Sequence, residues 1–226
     1  MRSRCAHFLF ISLFVFITSC VSAYQPLHAD GSYRSTHATT PAAVRPLIIL
    51  DAGHGGTDEG AKVNAFKEKR LTLLTTLLAK KHLEEMGYRV VLTRSRDTFI
   101  SLARRVSIAN NVRATLFVSI HYNSSPSVEA KGIEIFYYNS GEAGRKRASQ
   151  RLANCILYRL LDQTAALSRG IKSGNFHVIR ETDMPAVLIE AGFMTNKDER
   201  QKLRSRDYLD RVALGIAQGI DKYIQT

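Results

Sequence analysis

Short apolar runs that alternate with longer helical patterns constrain this chain more than any other feature. The runs at residues 47–50 (LIIL), 88–93, 116–120 (LFVSI), 133–138, 176–179 and 186–189 read as strands. Residues 68–86 carry Leu71, Leu74, Leu77, Leu78 and Leu83 at helical spacing, and Gly87 follows as a natural stop. Ser101 is placed to cap a second helix that runs to about residue 113. Residues 143–167 read as a long third helix and residues 208–224 as a closing one. Strands alternating with helices predict an α/β fold around a largely parallel sheet. In such open sheets, ligands meet the carboxyl ends of the strands.

Four residues stand where a predicted strand or helix meets a loop. His54 lies in DAGHGG after the first strand, Glu68 opens the first long helix, His121 ends the 116–120 strand, and Glu190 follows the 186–189 strand. Each has a plain structural alternative. His54 can be a loop histidine, or part of a phosphate cradle, although the glycine spacing is not that of a P-loop and no lysine–serine pair follows. Glu68 can simply complement the helix dipole. His121 can be a satisfied strand-end histidine. Glu190 follows a core-like run, where an unpaired carboxylate is costly and needs a partner or a use. Taken together, two imidazoles and one carboxylate can bind zinc and leave a position for water, on which a fourth residue acts. The spacing is irregular and by itself is a moderate signal. Lower-ranked candidates are His177, on a predicted strand, with a core or surface histidine as its plainer reading, Tyr122 and Asn123 beside His121, with structural roles as the alternative, and Arg94, Arg104 and Arg180 as carboxylate binders, with surface ion pairing as the plainer reading of each.

Charge and the N-terminus bound the setting. The chain of 226 residues has a net charge of +12 and no tryptophan. Such a charge favours anionic partners, but no nucleic-acid motif accompanies it, and no nucleic-acid partner is expected. Arg2 and Arg4 precede the apolar run 8–17, too short to span a bilayer, which reads as a secretion signal. ITSC at 17–20 resembles a bacterial lipobox, which would lipidate Cys20 and attach the chain to a membrane; VSA at 21–23 offers an ordinary cleavage site before Tyr24. Removal of residues 1–19 takes away two arginines and no acid, which lowers +12 to +10. Residues 1–23 are therefore read as signal, 24–45 as a polar flexible linker carrying His28 and His37 as bystanders, and 46–226 as one globular domain. Cys155 alone remains in the body, inside a helix, and reads as a buried structural cysteine.

The segments IILDAGHGG, the acid at Glu68, LTRSRDTFISLARR, LFVSIHYNS and MPAVLIEAGFMTN occur in the order of one family. From about Pro46 to Tyr223 the chain closely resembles the zinc-dependent N-acetylmuramoyl-L-alanine amidases of the Amidase_3 type. The resemblance implies an α/β domain with a mixed, mainly parallel sheet flanked by helices on both faces. It implies Zn²⁺ held by His54, Glu68 and His121, with Glu190 as catalytic base. It also implies cleavage of the bond between N-acetylmuramic acid and L-alanine in peptidoglycan, in the bacterial cell envelope or periplasm. A zinc peptidase acting on stem peptides and a non-catalytic envelope-binding protein are the alternatives; retention of all four residues argues against the second. Some relatives carry a blocking helix between the third ligand and the catalytic glutamate. The elements predicted between His121 and Glu190 leave no spare helix of that kind.

Overall fold

The computed structural model describes residues 45–226; the signal, the lipidation site and nearly all of the linker expected above lie outside the described residues. The chain forms β1 (Leu47–Ala52), a small hairpin of β2 (Lys62–Val63) and β3 (Phe66–Lys67), α1 (Glu68–Glu85), β4 (Arg89–Leu92) and α2 (Leu102–Asn111). It continues through β5 (Leu116–Asn123), β6 (Ile133–Tyr137), α3 (Ala143–Thr164), β7 (Ser168–Ser173) and α4 (His177–Arg180). It ends with β8 (Ala186–Phe193), α5 (Lys197–Leu203) and α6 (Arg206–Ile224). Six strands form one sheet in the order β4-β1-β5-β8-β6-β7. All neighbours are parallel except β6 and β8, so the sheet is mixed and mainly parallel, as expected.

The two-residue period of the strands sorts side chains onto two unlike faces. Ile48, Leu50, Leu116, Val118, Ile120, Val187 and Ile189 join the larger core beneath α1, α3 and α6. That core also takes Leu152, Ile156 and Leu160 of α3 and Val212, Ile216 and Ile220 of α6. The other face carries Ile49, Phe117, Ala186 and Leu188, covered by α2 and the single turn α4. Gly215 and Gly219 let α6 lie against α3; a Cβ on Gly219 would stand 2.4 Å from the Ile156 Cα. The same alternation puts His121 and Glu190 on this second face, near the carboxyl ends of β5 and β8.

Helix ends follow their sequence signals. The Ser101 side chain accepts from the Arg104 N–H at the start of α2, and Gly87 takes φ +89° just beyond α1. Several elements differ from expectation. Residues 176–179 form a helical turn, not a strand, closed by the Arg180 N–H to the Phe176 carbonyl at 3.0 Å. Four apolar residues cannot reveal their own period, and here the adjacent Val178 and Ile179 are both buried. The strand lies earlier, at β7, whose sequence SRGIKS is polar because it is an edge strand. α3 stops at Thr164, where Ala165 turns left-handed at φ +50°. His121 and Glu190 lie inside β5 and β8, which run on to Asn123 and Phe193, rather than just beyond them. Cys155 is half-buried in α3.

A metal-binding constellation at the open end of the sheet

The site is built by three elements that reach the same edge. β1 delivers the DAGHGG loop, in which His54 itself has φ +60°, an uncommon conformation for a residue with a side chain. The loop is held from behind by two buried arginines. Arg105 donates to the carbonyls of Ala52 at 2.6 Å and His54 at 2.7 Å, while Arg94 donates to those of Ala52 at 3.0 Å and Gly53 at 2.8 Å. Arg105 is itself paired with the buried carboxylate of Asp51 at 2.6 Å, which also accepts from Thr93 at 2.6 Å and Ser119 at 2.7 Å. Burial alone would raise the Asp51 pKa; Arg105 and the two hydroxyls hold it below the usual carboxylate value.

His54, Glu68 and His121 converge, with one ligand atom of each within 4.8 Å of the others. Glu68 Oε1 lies 3.1 Å from His54 Nε2 and 3.0 Å from His121 Nδ1. Ligands about 2.0–2.2 Å from a common tetrahedral ion stand roughly 3.3 Å apart, so these donors fit Zn²⁺ in both separation and chemistry. The glycines make the approach possible. A Cβ on Gly53 would fall 2.2 Å from the His121 ring, and one on Gly60 would fall 2.6 Å from both Glu68 and His54.

Supporting groups fix two of the three donors. Asp58 Oδ2 sits 2.8 Å from His54 Nδ1, which places the ring proton there and leaves Nε2 to face Glu68. Glu68 accepts from the Ala61 N–H at 2.8 Å through Oε2 and from the Tyr122 N–H at 3.1 Å through Oε1. Burial opposes the Glu68 charge, but His121 and His54 hold its pKa well below the usual range. Burial likewise lowers the His54 pKa, and Glu68 and Asp58 more than reverse it, for a net rise.

Glu190 completes the group. It pairs in register with His121 across β5 and β8 and lines the same cleft as His54, Glu68 and His121. Its Oε2 is buried with no hydrogen-bond partner. Burial, then the charges of Glu68 and Glu134, push its pKa well above the ordinary carboxylate value.

The lower-ranked candidates divide. His177 lies on α4 and walls a neighbouring apolar cleft. The Tyr122 side chain is buried away from the site, its hydroxyl 2.6 Å from Thr75, and only its N–H serves Glu68. Asn123 lines the cleft and donates to Glu134 at 2.8 Å. Arg94 is structural and not a carboxylate binder, since burial commits its guanidinium to backbone carbonyls. Arg180 pairs with Glu181 at 2.6 Å, and Arg104 is exposed on the first turn of α2. The sequence reading passes over Asp58 and Glu134. Asp58, an acid four residues after His54, and Glu134, an acid amid the apolar IEIFY, were the available signals.

An α/β domain that gathers two imidazoles and a carboxylate at its open sheet end, with a further buried carboxylate alongside, has the form of a hydrolase metal centre. The chain belongs to the Amidase_3 family, N-acetylmuramoyl-L-alanine amidases, which matches residues 48–222, and so to the hydrolases. It is 38% identical over 180 residues to the N-acetylmuramoyl-L-alanine amidase LytC of Bacillus subtilis, covering 80% of this chain and 36% of that protein. It is 39% identical over 192 residues to the uncharacterized protein YqiI of the same organism, covering 83% of this chain and 91% of YqiI. Among solved structures, the catalytic domain of CwlV, an N-acetylmuramoyl-L-alanine amidase from Bacillus (Paenibacillus) polymyxa, matches at 43% identity. The TM-score to CwlV is 0.74, with 80% of this chain and 98% of that one covered.

Proposed function

We propose that the chain hydrolyses the amide between the lactyl group of N-acetylmuramic acid and L-alanine in peptidoglycan, with His54, Glu68 and His121 holding Zn²⁺ and Glu190 as general base. The observation that carries the role of Glu190 is its buried, partnerless Oε2 in the cleft shared with the three donors. A native fold rarely leaves such an acceptor unpaired without a use. Zn²⁺, when bound, supplies Lewis acidity that polarises the scissile carbonyl and makes water a stronger acid.

The chain's own groups do the rest. Glu190 takes a proton from the attacking water onto its carboxylate. Water oxygen bonds to the lactyl carbonyl carbon, the C–N bond breaks, and Glu190 returns the proton to the departing nitrogen. The products are a lactyl carboxylate on the glycan and a stem peptide with a free L-alanine amine. Burial and the charges of Glu68 and Glu134 push the Glu190 pKa upward, which favours the protonated form that returns the proton. Asp58 sets the His54 tautomer, and the Ala61 and Tyr122 N–H groups orient Glu68.

We also read the chain as exported to the cell envelope, with Cys20 as the membrane attachment; mass spectrometry of the mature N-terminus for a lipid-modified cysteine tests this. The stretch between His121 and Glu190 is taken up by β6, α3, β7 and α4, and a cleft of about 310 Å³ stays open beside Glu190. This supports activity without an activator protein. The test is product analysis of peptidoglycan digested by the purified protein with Zn²⁺, beside Glu190→Gln. Free stem peptides beginning with L-alanine, absent from the variant, are expected. Shortened stems still attached to muramic acid would assign a peptidase instead, and equal activity of the variant would remove Glu190 from its role.

A further inference from the structure

Two clefts, one strongly apolar and one of mixed lining, meet at the candidate metal-binding residues, and both include His54, His121, Phe176 and Leu188 in their walls. One, of about 180 Å³, lies on the α2 and α4 side and is walled by Phe99, Leu102, Phe176 and Val178. Three of these are unusually open for large apolar groups: Phe99 is 54% exposed, Leu102 56% and Phe176 38%. The other cleft holds Glu190, Asn123 and Ser124. Behind Asn123 stands a charged cluster at the β6–β7 edge. Glu134 accepts from Asn123 at 2.8 Å, Arg169 at 2.8 Å and Lys172 at 2.5 Å, which leaves one excess positive charge on two partly exposed side chains.

We infer that substrate crosses the centre in one direction, with N-acetylmuramic acid and its lactyl group in the apolar cleft of Phe99, Leu102, Phe176 and Val178, and the stem peptide over the mixed cleft of Glu190, Asn123 and Ser124 toward Lys172 and Arg169. This rests on the amidase reading above. The departing nitrogen must reach Glu190, so the amine half of the substrate belongs to the cleft that contains Glu190. The acyl half then faces the apolar cleft. N-acetylmuramic acid fits that lining: it carries two methyl groups, lactyl and N-acetyl, and a pyranose C–H face suited to aromatic rings. The stem peptide carries free carboxylates, which suit the excess cation at the other end. The arginine in the wall of the apolar cleft, Arg105, is already committed to Asp51.

The test compares four substrates: muramoyl peptide and sugar-free lactoyl peptide, each with stem carboxylates free or amidated. Wild type is set beside Phe99→Ala, Phe99→Tyr and Lys172→Gln. Phe99→Ala should lose about ten-fold in kcat/KM on muramoyl peptide and at most about two-fold on lactoyl peptide. Phe99→Tyr should recover most of the Phe99 loss. Lys172→Gln should lose about three- to ten-fold only on stems with free carboxylates. As a second readout, inhibition by free N-acetylmuramic acid should weaken in Phe99→Ala and not in Lys172→Gln. Equal losses with and without the sugar, or a Phe99 effect that follows stem amidation, would overturn the direction. Wild type inert on all four substrates would instead overturn the amidase reading, and this one with it.

Discussion

Replacing Arg105 by methionine should cost far more than an ordinary core substitution, and the cost should depend on pH. Arg105 is 3% exposed and Asp51 1%, so the pair has almost no solvent. Removing one member of a buried pair costs about 3–5 kcal/mol, because the other charge stays buried without compensation. Arg105 also donates to the carbonyls of Ile100, Ala52 and His54. A loss of about 4 kcal/mol at neutral pH follows, set against a typical domain stability of about 5–15 kcal/mol. In the native protein Asp51 titrates below its unfolded value, so its contribution is present above about pH 3.9 and is lost as pH falls through the folded value. Without Arg105, burial dominates and the folded value rises above the unfolded one. The variant therefore keeps stability from a neutral Asp51 below about pH 3.9 and loses it as pH rises through the new folded value. Urea unfolding followed by circular dichroism at a series of pH values measures this directly. The deficit against wild type should be widest near neutral pH and narrow as pH falls toward about 4. Adding Asp51→Asn, which removes the stranded charge, keeps one oxygen to accept from one of the Thr93 and Ser119 hydroxyls and turns its amide NH2 to donate to the other, should recover at least about half of it. A cost below about 1 kcal/mol, or a deficit that does not change with pH, would refute the reasoning.

Asp58→Ala should weaken Zn²⁺ binding about ten- to a hundred-fold by chelator competition, with Asp58→Asn milder because its amide oxygen still accepts from His54 Nδ1. Gly53→Ala should bind little Zn²⁺ while keeping its far-ultraviolet circular dichroism, since the new Cβ meets the His121 ring at 2.2 Å, not backbone; normal metal content would show that the ring can move aside. Glu134→Gln should slow turnover without changing Zn²⁺ stoichiometry, because Glu134 holds Asn123 at the cleft and sits opposite Glu190 in register, yet touches no metal-binding residue. Loss of metal in that variant would contradict this.

What was legible in the sequence follows from how each signal arises. Buried strands such as LIIL and LFVSI announce themselves because both faces are apolar. Helices with caps, such as α2 after Ser101, do so because the cap is a local contact. β7 was hidden because an edge strand needs no apolar face, and α4 because a single turn is too short to show a period. The three metal-binding candidates were found through residue type and their place beside strands and helices. Their supports were not, because the bonds from Arg94 and Arg105 to the DAGHGG loop span 41 to 53 positions. Such contacts have no local spacing to read: Arg94 stands in the sequence as a candidate carboxylate binder, and Arg105 carries no signal at all.

The misplaced strand ends carry a physical lesson about the site. A histidine just past a strand would be held by loop geometry alone. His121 instead lies inside β5, in register with Glu190 on β8; Ile120 and Ile189 pair before them, and the register shifts before Asn123 meets Phe193. The distance between the third metal-binding candidate and the proposed base is therefore set by the sheet ladder, at its last regular pair before that shift. Only His54 rests on a loop, and that loop is the segment the buried arginines grip. The rigidity that a hydrolytic centre needs thus comes from two sources: strand pairing for His121 and Glu190, and a buried ion pair for His54. Disrupting the second should disturb the position of His54 while leaving the His121–Glu190 spacing intact, so Arg105→Met should lose metal affinity before it loses the sheet.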